Sequence, residues 1–240
     1  MTYPFDPIGI IRSPFTDKFG IPRQPRLVDA AEGSLRLLPP YDRDEAFAGL
    51  DGFSHVWLVF VFHADCLDAG WRPTVRPPRL GGREKVGVFA SRAPYRPNPI
   101  GISAVRHHGL RRDRDGLALC LSGIDLLDGT PVLDIKPYVP YADRIDDASD
   151  GFATAPPNLV KVRFSPGAER QITAADPSGK LRLRLLIEQV IAQDPRPGYM
   201  DRYPERRAFG LRLYDLDVSW ERADDGFVVT GVGPTPSGAS

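Results

Sequence analysis

A proline-rich run that displays cationic and aromatic side chains is the most unusual stretch of the sequence. Residues 92–101 read Arg-Ala-Pro-Tyr-Arg-Pro-Asn-Pro-Ile-Gly, with three prolines within six residues. Each proline fixes its own φ and removes a backbone donor, which stiffens the run. Arg92 and Arg96 offer planar guanidinium groups for anions, Tyr95 offers a stacking face and Asn98 an amide. We predict a functional loop for anionic or planar groups; a plain proline-rich turn is the alternative.

Two of the four histidines flank an apolar segment and are candidates for chemistry. His55 and His63 lie eight residues apart within 53–63, which is about 26 Å along an extended strand. That distance is too long for a shared metal ion, so we predict no metal site. His63 is either a core residue or a pocket-mouth residue able to act as a general base. Asp128 and Tyr95 are also candidates for the base, and the sequence singles out none of the three.

The glycine-rich motifs of common nucleotide-binding folds are missing. Gly231-Val232-Gly233 has no third glycine and no helix can follow it, and the sequence contains neither a P-loop nor a nucleophile elbow. Any nucleotide-like cofactor must therefore bind by a route other than a Rossmann site.

Charge is balanced overall but clustered locally. The 31 basic and 31 acidic residues cancel, so net charge gives no general attraction to nucleic acid. Between Arg72 and Arg96, however, six arginines and Lys85 face a single acid, Glu84, while residues 125–150 are acidic. Clusters of this kind are usually solvated faces, and nucleic-acid contact is the alternative.

The two cysteines, Cys66 and Cys120, have no metal-binding spacing, and the N-terminus lacks the pattern of a signal peptide. The longest apolar run is too short to cross a bilayer. We therefore expect a reduced, cytoplasmic setting.

The elements that must position these residues are mostly strands in the first half of the chain. Short apolar or alternating segments separated by Gly and Pro favour a barrel or sandwich over a βαβ sheet. The segment 53–63 is apolar on both faces and predicts a central, fully buried strand. One helix is expected from a cap at Asp42 to Gly49 or Gly52. The other predicted strands are Ile8–Arg12, Val86–Ala90, Ile100–Val105, Leu117–Ser122 and Val132–Ile135.

The pattern changes after a polar linker at residues 146–157. Alternation at 160–164 predicts a strand, and apolar residues from Leu183 to Ile191 recur at helical spacing before Pro195. Residues 212–220 and 227–232 predict a closing hairpin. The sequence therefore predicts two domains, residues 1–150 and a small α+β domain at 157–234.

Several runs resemble the TsaA-like, or TrmO, family. The match covers roughly residues 5–150, with a shorter one later in the chain. The matching runs are residues 8–15, 22–25, 53–57, 62–63, 76–79, 87–90, 92, 96–101, 128–132 and 134–138, with residues 193–197 and the strand ending at Trp220 in the C-terminal part.

The resemblance implies a mainly β, non-Rossmann β-barrel methyltransferase domain that binds S-adenosylmethionine, followed by the smaller α+β domain. It implies a homodimer and methylation of N6 of N6-threonylcarbamoyladenosine next to the anticodon of tRNA. By motif position, the expected cofactor-binding residues are Pro22, Arg23, Gln24, Phe62, His63, Arg92, Asp128, Gly129, Thr130 and Pro131.

The chemistry adds expectations about the substrate. The threonyl carboxylate needs a cation, which Arg92 or Arg96 could supply as a bidentate clamp, and we expect Arg96 and Asn98 to bind the substrate. Phosphate and base contacts to tRNA need cations and aromatic rings. The candidates are Arg72, Arg76, Arg79 and Arg83 in the first domain, and Tyr199, Arg202, Tyr203, Arg206 and Arg207 in the second.

Two other functions remain compatible with the sequence. The chain could methylate a small molecule with the same cofactor pocket, although the basic clusters and the second domain argue mildly against this. Alternatively, it could be a non-catalytic module that binds S-adenosylmethionine or RNA, since no general base is obvious.

Overall fold

Two compact units make up the computed structural model, which describes residues 3–64, 70–80, 82, 84–197, 200, 203 and 205–236, with Arg79 described by its backbone only. The units are not continuous in sequence. The first contains the described residues of Met1–Arg12, Ser34–Leu121 and Gly129–Pro156, and the second those of Ser13–Gly33, Ser122–Asp128 and Pro157–Ser240.

The first unit is built on a closed barrel whose six strands follow the order β1-β2-β7-β6-β3-β8. A separate two-stranded sheet, β4-β5, and the one-turn helix α1 accompany the barrel. The strands and the helix are β1 Gly9–Arg12, β2 Glu32–Leu37, β3 His55–Val61, β4 Thr74–Val75, β5 Val86–Gly87, β6 Ile100–Asp113, β7 Gly116–Ser122, β8 Pro131–Pro137 and α1 Pro140–Asp143.

Alternation along β3 separates the inside of the barrel from its outside. Val56, Leu58 and Phe60 are buried, while the residues between them are half-buried. β3 pairs antiparallel with β6 on one side and β8 on the other. The expectation of a strand buried on both faces was therefore wrong, because a barrel wall buries only one side. The expectation of a mainly β fold is confirmed.

Among its described residues, the second unit combines a four-stranded sheet with two α-helices. Its strands follow the order β10-β11-β12-β9, with β9 parallel to β12 and the other pairs antiparallel. Trp220, Leu186, Ile187 and Ile191 are fully buried in its core. The elements are β9 Val162–Phe164, α2 Pro166–Ala175, α3 Leu183–Ala192, β10 Ala208–Leu213, β11 Leu216–Ala223 and β12 Gly226–Pro234.

Three predictions about local structure need correction. The expected helix after Asp42 is a pair of 3-10 turns, Asp44–Phe47 and Leu50–Gly52, neither with a side-chain cap. The expected strand at 212–220 is split by a turn in which Tyr214 has φ +56°. Only Val86–Gly87 of the expected strand 86–90 is extended, and a 3-10 turn follows it. In each case the local preference of the sequence for a helix or a strand is overridden, because the chain changes direction there in a hairpin or a bend.

Among the described residues, no helix combines the length and apolar character needed to cross a membrane.

A carboxylate–guanidinium fork on the first unit makes a testable prediction about pH. Arg36 of β2 donates to both carboxylate oxygens of Asp113, at 2.6 and 3.3 Å. The hydrogen bond from Arg36 and one from the backbone N–H of Asp115 lower the pKa of Asp113 to about 2. Because this pKa lies below its unfolded value, the fork stabilises the fold above about pH 4 and loses that effect as pH falls toward 2.

An NMR titration of the Asp113 carboxyl carbon should show a midpoint near 2. In Arg36→Met the midpoint should rise toward the value of a free aspartate, about 3.9. The same midpoint in both proteins would show that the fork does not form in solution.

Candidate functional site

The end of β3 and the proline-rich loop meet at one edge of the barrel. The backbone N–H of Phe62 donates to Pro99 O at 2.8 Å. The ring of Phe62 lies edge-on to that of Phe60, with centroids 5.2 Å apart. Ala64 then adopts φ +58°, so the chain turns sharply after His63. The strand end therefore presents His63 beside the loop that the sequence singled out.

His63 is paired with the turn that precedes β8. Its Nδ1 lies 3.3 Å from Thr130 Oγ1, and the donor is set by the imidazole tautomer. Thr130 is buried and His63 is half-buried. A Cβ on Gly129 would lie 3.7 Å from His63 Nε2, and Gly129 has φ +81°. The positive φ favours glycine at this position, and the backbone of Gly129 lies beside the imidazole.

Backbone hydrogen bonds to β1 fix this turn. Gly129 N donates to Ile11 O at 2.9 Å, and Ile11 N donates to Thr130 O at the same distance. Ile11 is fully buried in the barrel core. The Thr130 hydroxyl is therefore held by a rigid part of the barrel, and with it the imidazole of His63.

Arg96 stabilises the proline-rich loop from within. Its Nη1 donates to Val88 O at 3.1 Å and to Ser91 O at 2.7 Å. Its guanidinium also lies over the Phe89 ring, 5.6 Å from the centroid. A guanidinium has five N–H donors, so these two bonds occupy only part of its capacity. Arg96 is half-buried and held in a fixed orientation.

The other loop residues differ in exposure. Tyr95 is half-buried, and the Arg72 guanidinium lies 4.7 Å above its ring centroid. Arg92 and Asn98 are exposed, and Asn98 O accepts from Ile100 N at 2.7 Å. The loop thus offers two guanidinium groups and an amide at the surface of the first unit.

Packing explains the glycine that ends this loop. A Cβ on Gly101 would lie 2.3 Å from the ring of Phe60. Because β6 pairs Gly101 with Phe60 across the strands, only a residue without a side chain lets the ring fill the barrel interior. The proline-rich run therefore contains both a glycine that core packing requires and polar side chains at the surface.

Four of the predicted site residues belong to the second unit. Pro22 is buried, Arg23 is exposed and Gln24 is half-buried. The carboxylate of Asp128 accepts from Ser13 N at 2.9 Å, and Asp128 N donates to Phe15 O at 2.8 Å. In this unit Asp128 therefore stabilises a turn, a task that the sequence did not reveal.

The candidate tRNA contacts lie partly within the described residues. In the first unit Arg72 and Arg76 are exposed, whereas the Arg79 side chain and Arg83 lie outside the described residues. In the second unit Tyr203, Arg206 and Arg207 are exposed, and Tyr199 and Arg202 lie outside the described residues. Arg207 donates to Arg222 O at 2.9 Å.

Two features of the site were not predicted from the sequence. Phe89, read as part of a strand, sits in a 3-10 turn with 75% of its surface exposed. The pairing of Thr130 with His63 joins positions far apart in sequence, and no local pattern signals such a contact. Within the described ranges, no group of His, Cys, Asp or Glu side chains could hold a metal ion.

Family models match most of the chain. The model described as the tRNA-methyltransferase O N-terminal domain matches residues 10–144, and the model of the TrmO C-terminal domain matches residues 157–235.

Proteins of similar sequence carry methyltransferase names. A Pseudomonas aeruginosa protein called a putative S-adenosylmethionine-dependent methyltransferase RcsF is 56% identical over 222 residues, covering 92% of this chain and 93% of its own. An Escherichia coli K12 protein called tRNA (adenine(37)-N6)-methyltransferase is 45% identical over 234 residues, covering 97% of this chain and 99% of its own.

Solved structures agree with these matches. A crystal structure of TrmO superposes with a TM-score of 0.79 at 49% identity, covering 97% of this chain and all of the other. TrmO from Pseudomonas aeruginosa gives a TM-score of 0.80 at 47% identity, covering 97% and 99% of the two chains. The fold, the motifs around His63 and the proline-rich loop, and these matches together show that the chain belongs to the TrmO family.

Proposed function

We propose that this chain transfers a methyl group from S-adenosylmethionine to N6 of N6-threonylcarbamoyladenosine next to the anticodon of tRNA. The observation that carries the proposal is the match, over nearly the whole of both chains, to a relative named tRNA (adenine(37)-N6)-methyltransferase. The S-adenosylmethionine requirement is in the name of the Pseudomonas aeruginosa relative.

The residues present fit this cofactor. The half-buried imidazole of His63 and the turn with Gly129 and Thr130 lie side by side and offer a polar edge for the cofactor. Arg92 presents an exposed guanidinium suited to the cofactor carboxylate. We propose that Phe62, His63, Arg92 and the turn Asp128–Pro131, which includes Thr130, bind the cofactor, together with Pro22, Arg23 and Gln24. When bound, S-adenosylmethionine supplies a methyl group that is activated by its positive sulfur.

His63 is the strongest of the three candidates for the general base. In the tautomer in which Nδ1–H donates to Thr130 Oγ1, Nε2 carries a lone pair and can accept the N6 proton. By contrast, the Tyr95 ring lies beneath the Arg72 guanidinium, and the Asp128 carboxylate accepts from Ser13 N in the turn that it stabilises.

We assign substrate recognition to the proline-rich loop. The threonyl group of the substrate carries a carboxylate, and Arg96 has donors beyond the two that hold the loop. Asn98 is exposed beside it and can bond the polar threonylcarbamoyl group. Exposed cations at Arg72, Arg76, Arg206 and Arg207, with Tyr203, are proposed to contact tRNA phosphates and bases.

We further propose that residues 1–150 form the cofactor-binding domain and 157–234 the smaller C-terminal domain, close to the ranges of the two family models. An enzyme with this substrate would act in the cytoplasm.

Homodimer formation is supported by an apolar face on the outside of the barrel. Ile100 and Ile102 of β6 are 38% and 50% exposed and alternate with buried residues. Half-buried Val59 and Trp57 of β3 pair with Ile102 and Ala104. Contiguous apolar surface of this kind commonly marks an interface between proteins.

The first test is methyl transfer itself. The purified protein is incubated with methyl-labelled S-adenosylmethionine and two tRNA pools, one with threonylcarbamoyladenosine and one without it, and the products are digested to nucleosides. We expect label only in the modified nucleoside. Label in neither pool, with cofactor binding intact, would refute the proposal and favour a small-molecule substrate or a binding module.

A second test separates the two loop arginines. Arg96→Ala should lower kcat/KM for threonylcarbamoylated tRNA by about 10- to 100-fold, because a hydrogen bond to a charged group contributes about 1.5–3 kcal/mol. Its Kd for S-adenosylmethionine should change less than about threefold. Arg92→Ala should show the opposite pattern. Equal losses of both quantities in Arg96→Ala would contradict the clamp.

A third test concerns the dimer. Light scattering of the wild type should give twice the chain mass, and Ile102→Asp should give the monomer, because a buried carboxylate without a partner is costly. Leu159→Asp adds the same charge at a position that is 71% exposed on the second unit, and it should stay dimeric. A monomeric wild type, or a dimeric Ile102→Asp, would count against this interface.

A further inference from the structure

The segment 13–33 leaves the barrel after β1 and returns as β2, yet it belongs to the second unit. Pro22, Arg23 and Gln24, the residues proposed above to bind the cofactor, lie near its middle. Contacts within the second unit hold the segment on both sides of these three residues.

The first anchor lies before Pro22. Tyr214 N donates to Pro14 O at 2.7 Å, and Thr16 Oγ1 donates to Tyr214 O at 2.9 Å. The ring of Phe19 stacks on that of Trp220, with centroids 6.3 Å apart and planes within 19°. Trp220 is fully buried, so this anchor is part of the core of the unit.

The second anchor lies after Gln24 and is made by two amide side chains, Gln189 of α3 and Gln193, which follows the last residue of that helix. Gln193 Nε2 donates to Leu27 O at 3.2 Å, and Ala30 N donates to Gln189 Oε1 at 2.9 Å. Ala30 is fully buried. Without the Gln189 oxygen, its N–H would lose its partner in a place with no access to water.

The turn that follows α3 fixes the position of Gln193. Asp194 has φ +50°, and Arg196 donates to its two carboxylate oxygens at 2.7 and 2.6 Å. The Arg196 guanidinium lies near the rings of Phe209 and Phe227. The run of residues 193–197, in which Pro195 was expected to end the helix, thus ends it so that the Gln193 side chain contacts Leu27.

We propose that Gln189 and Gln193 are positioning residues that hold Pro22–Gln24 in the conformation that binds S-adenosylmethionine, so that the C-terminal unit contributes to cofactor affinity. This inference rests on the proposed function. A loop that is already held at both ends loses less conformational entropy when its ligand binds. The smaller entropy cost increases the affinity for the ligand. Loss of either amide contact loosens one end of the loop and weakens cofactor binding, while the groups that carry out the reaction remain in place.

The test uses the full chain and four variants. Gln189→Met and Gln193→Met remove the hydrogen bonds with little change in shape, and Gln189→Glu keeps the oxygen that accepts from Ala30 N. Gln171→Met is the matched control, because Gln171 Oε1 also accepts a backbone N–H of this unit, that of Val232 at 2.9 Å. Calorimetry gives the Kd for S-adenosylmethionine, and kinetics give its KM and the kcat.

We expect Gln189→Met and Gln193→Met to raise the Kd and KM for S-adenosylmethionine by about tenfold, the effect of one ordinary hydrogen bond, with kcat changed less than about twofold. Gln189→Glu should recover most of the affinity. Gln171→Met should bind as the wild type does, whatever its Tm. In the unliganded protein, hydrogen exchange of the amides of residues 26–31 should speed up in the two Met variants and stay unchanged in Gln171→Met.

The possible failures are distinguishable. A wild type that binds no S-adenosylmethionine would overturn the proposed function, and this inference with it. Normal wild-type binding with unchanged Kd in folded Gln189→Met and Gln193→Met would overturn the inference alone. If Gln189→Met does not fold, Gln193→Met decides. Equal weakening by Gln171→Met would show a general loss of stability and also overturn the inference.

Discussion

The path of the chain between the first two barrel strands is the constraint on which the rest of the structure depends. β1 and β2 are hydrogen-bonded neighbours, with Gly9 opposite Leu37 and Arg12 opposite Ser34. The residues between them nevertheless belong to the second unit. One continuous segment therefore connects two strands of the barrel and also packs with the second unit. Because β1 also hydrogen-bonds with the Gly129–Thr130 turn, the same strand fixes the partner of His63. The proposed chemistry thus depends on where β1 lies.

Rigidity is built into each part of the candidate site by a different means. Prolines stiffen the loop after β5, and Arg96 ties it to two backbone carbonyls. The barrel holds the Thr130 hydroxyl, and amide side chains hold the segment around Pro22–Gln24. A methyltransferase gains most of its rate from alignment of two reactants, and several short, stiff elements provide that more reliably than one long mobile loop.

How much the sequence revealed depends on whether a structural feature leaves a local pattern. β7 and α3 carry strong periodicity and β3 is a continuous apolar run, and each was predicted within a few residues. β2 and α2 were missed because their apolar positions are few, although Ser165 and Pro166 form a recognisable helix start. The rigid loop could be predicted from its prolines, whereas the pairing of Thr130 with His63 and the assignment of residues 13–33 to the second unit could not. Both features depend on contacts between residues that are distant in the sequence, and no local pattern in a single sequence indicates such contacts.

The central proposal is that S-adenosylmethionine is bound by Pro22–Gln24 and by the turn beside His63. A crystal structure of the chain with S-adenosylhomocysteine tests this claim most directly. We predict that the ligand contacts Pro22–Gln24 and Gly129–Pro131, with Arg92 near its carboxylate. A ligand bound elsewhere, without contact to either segment, would contradict the account.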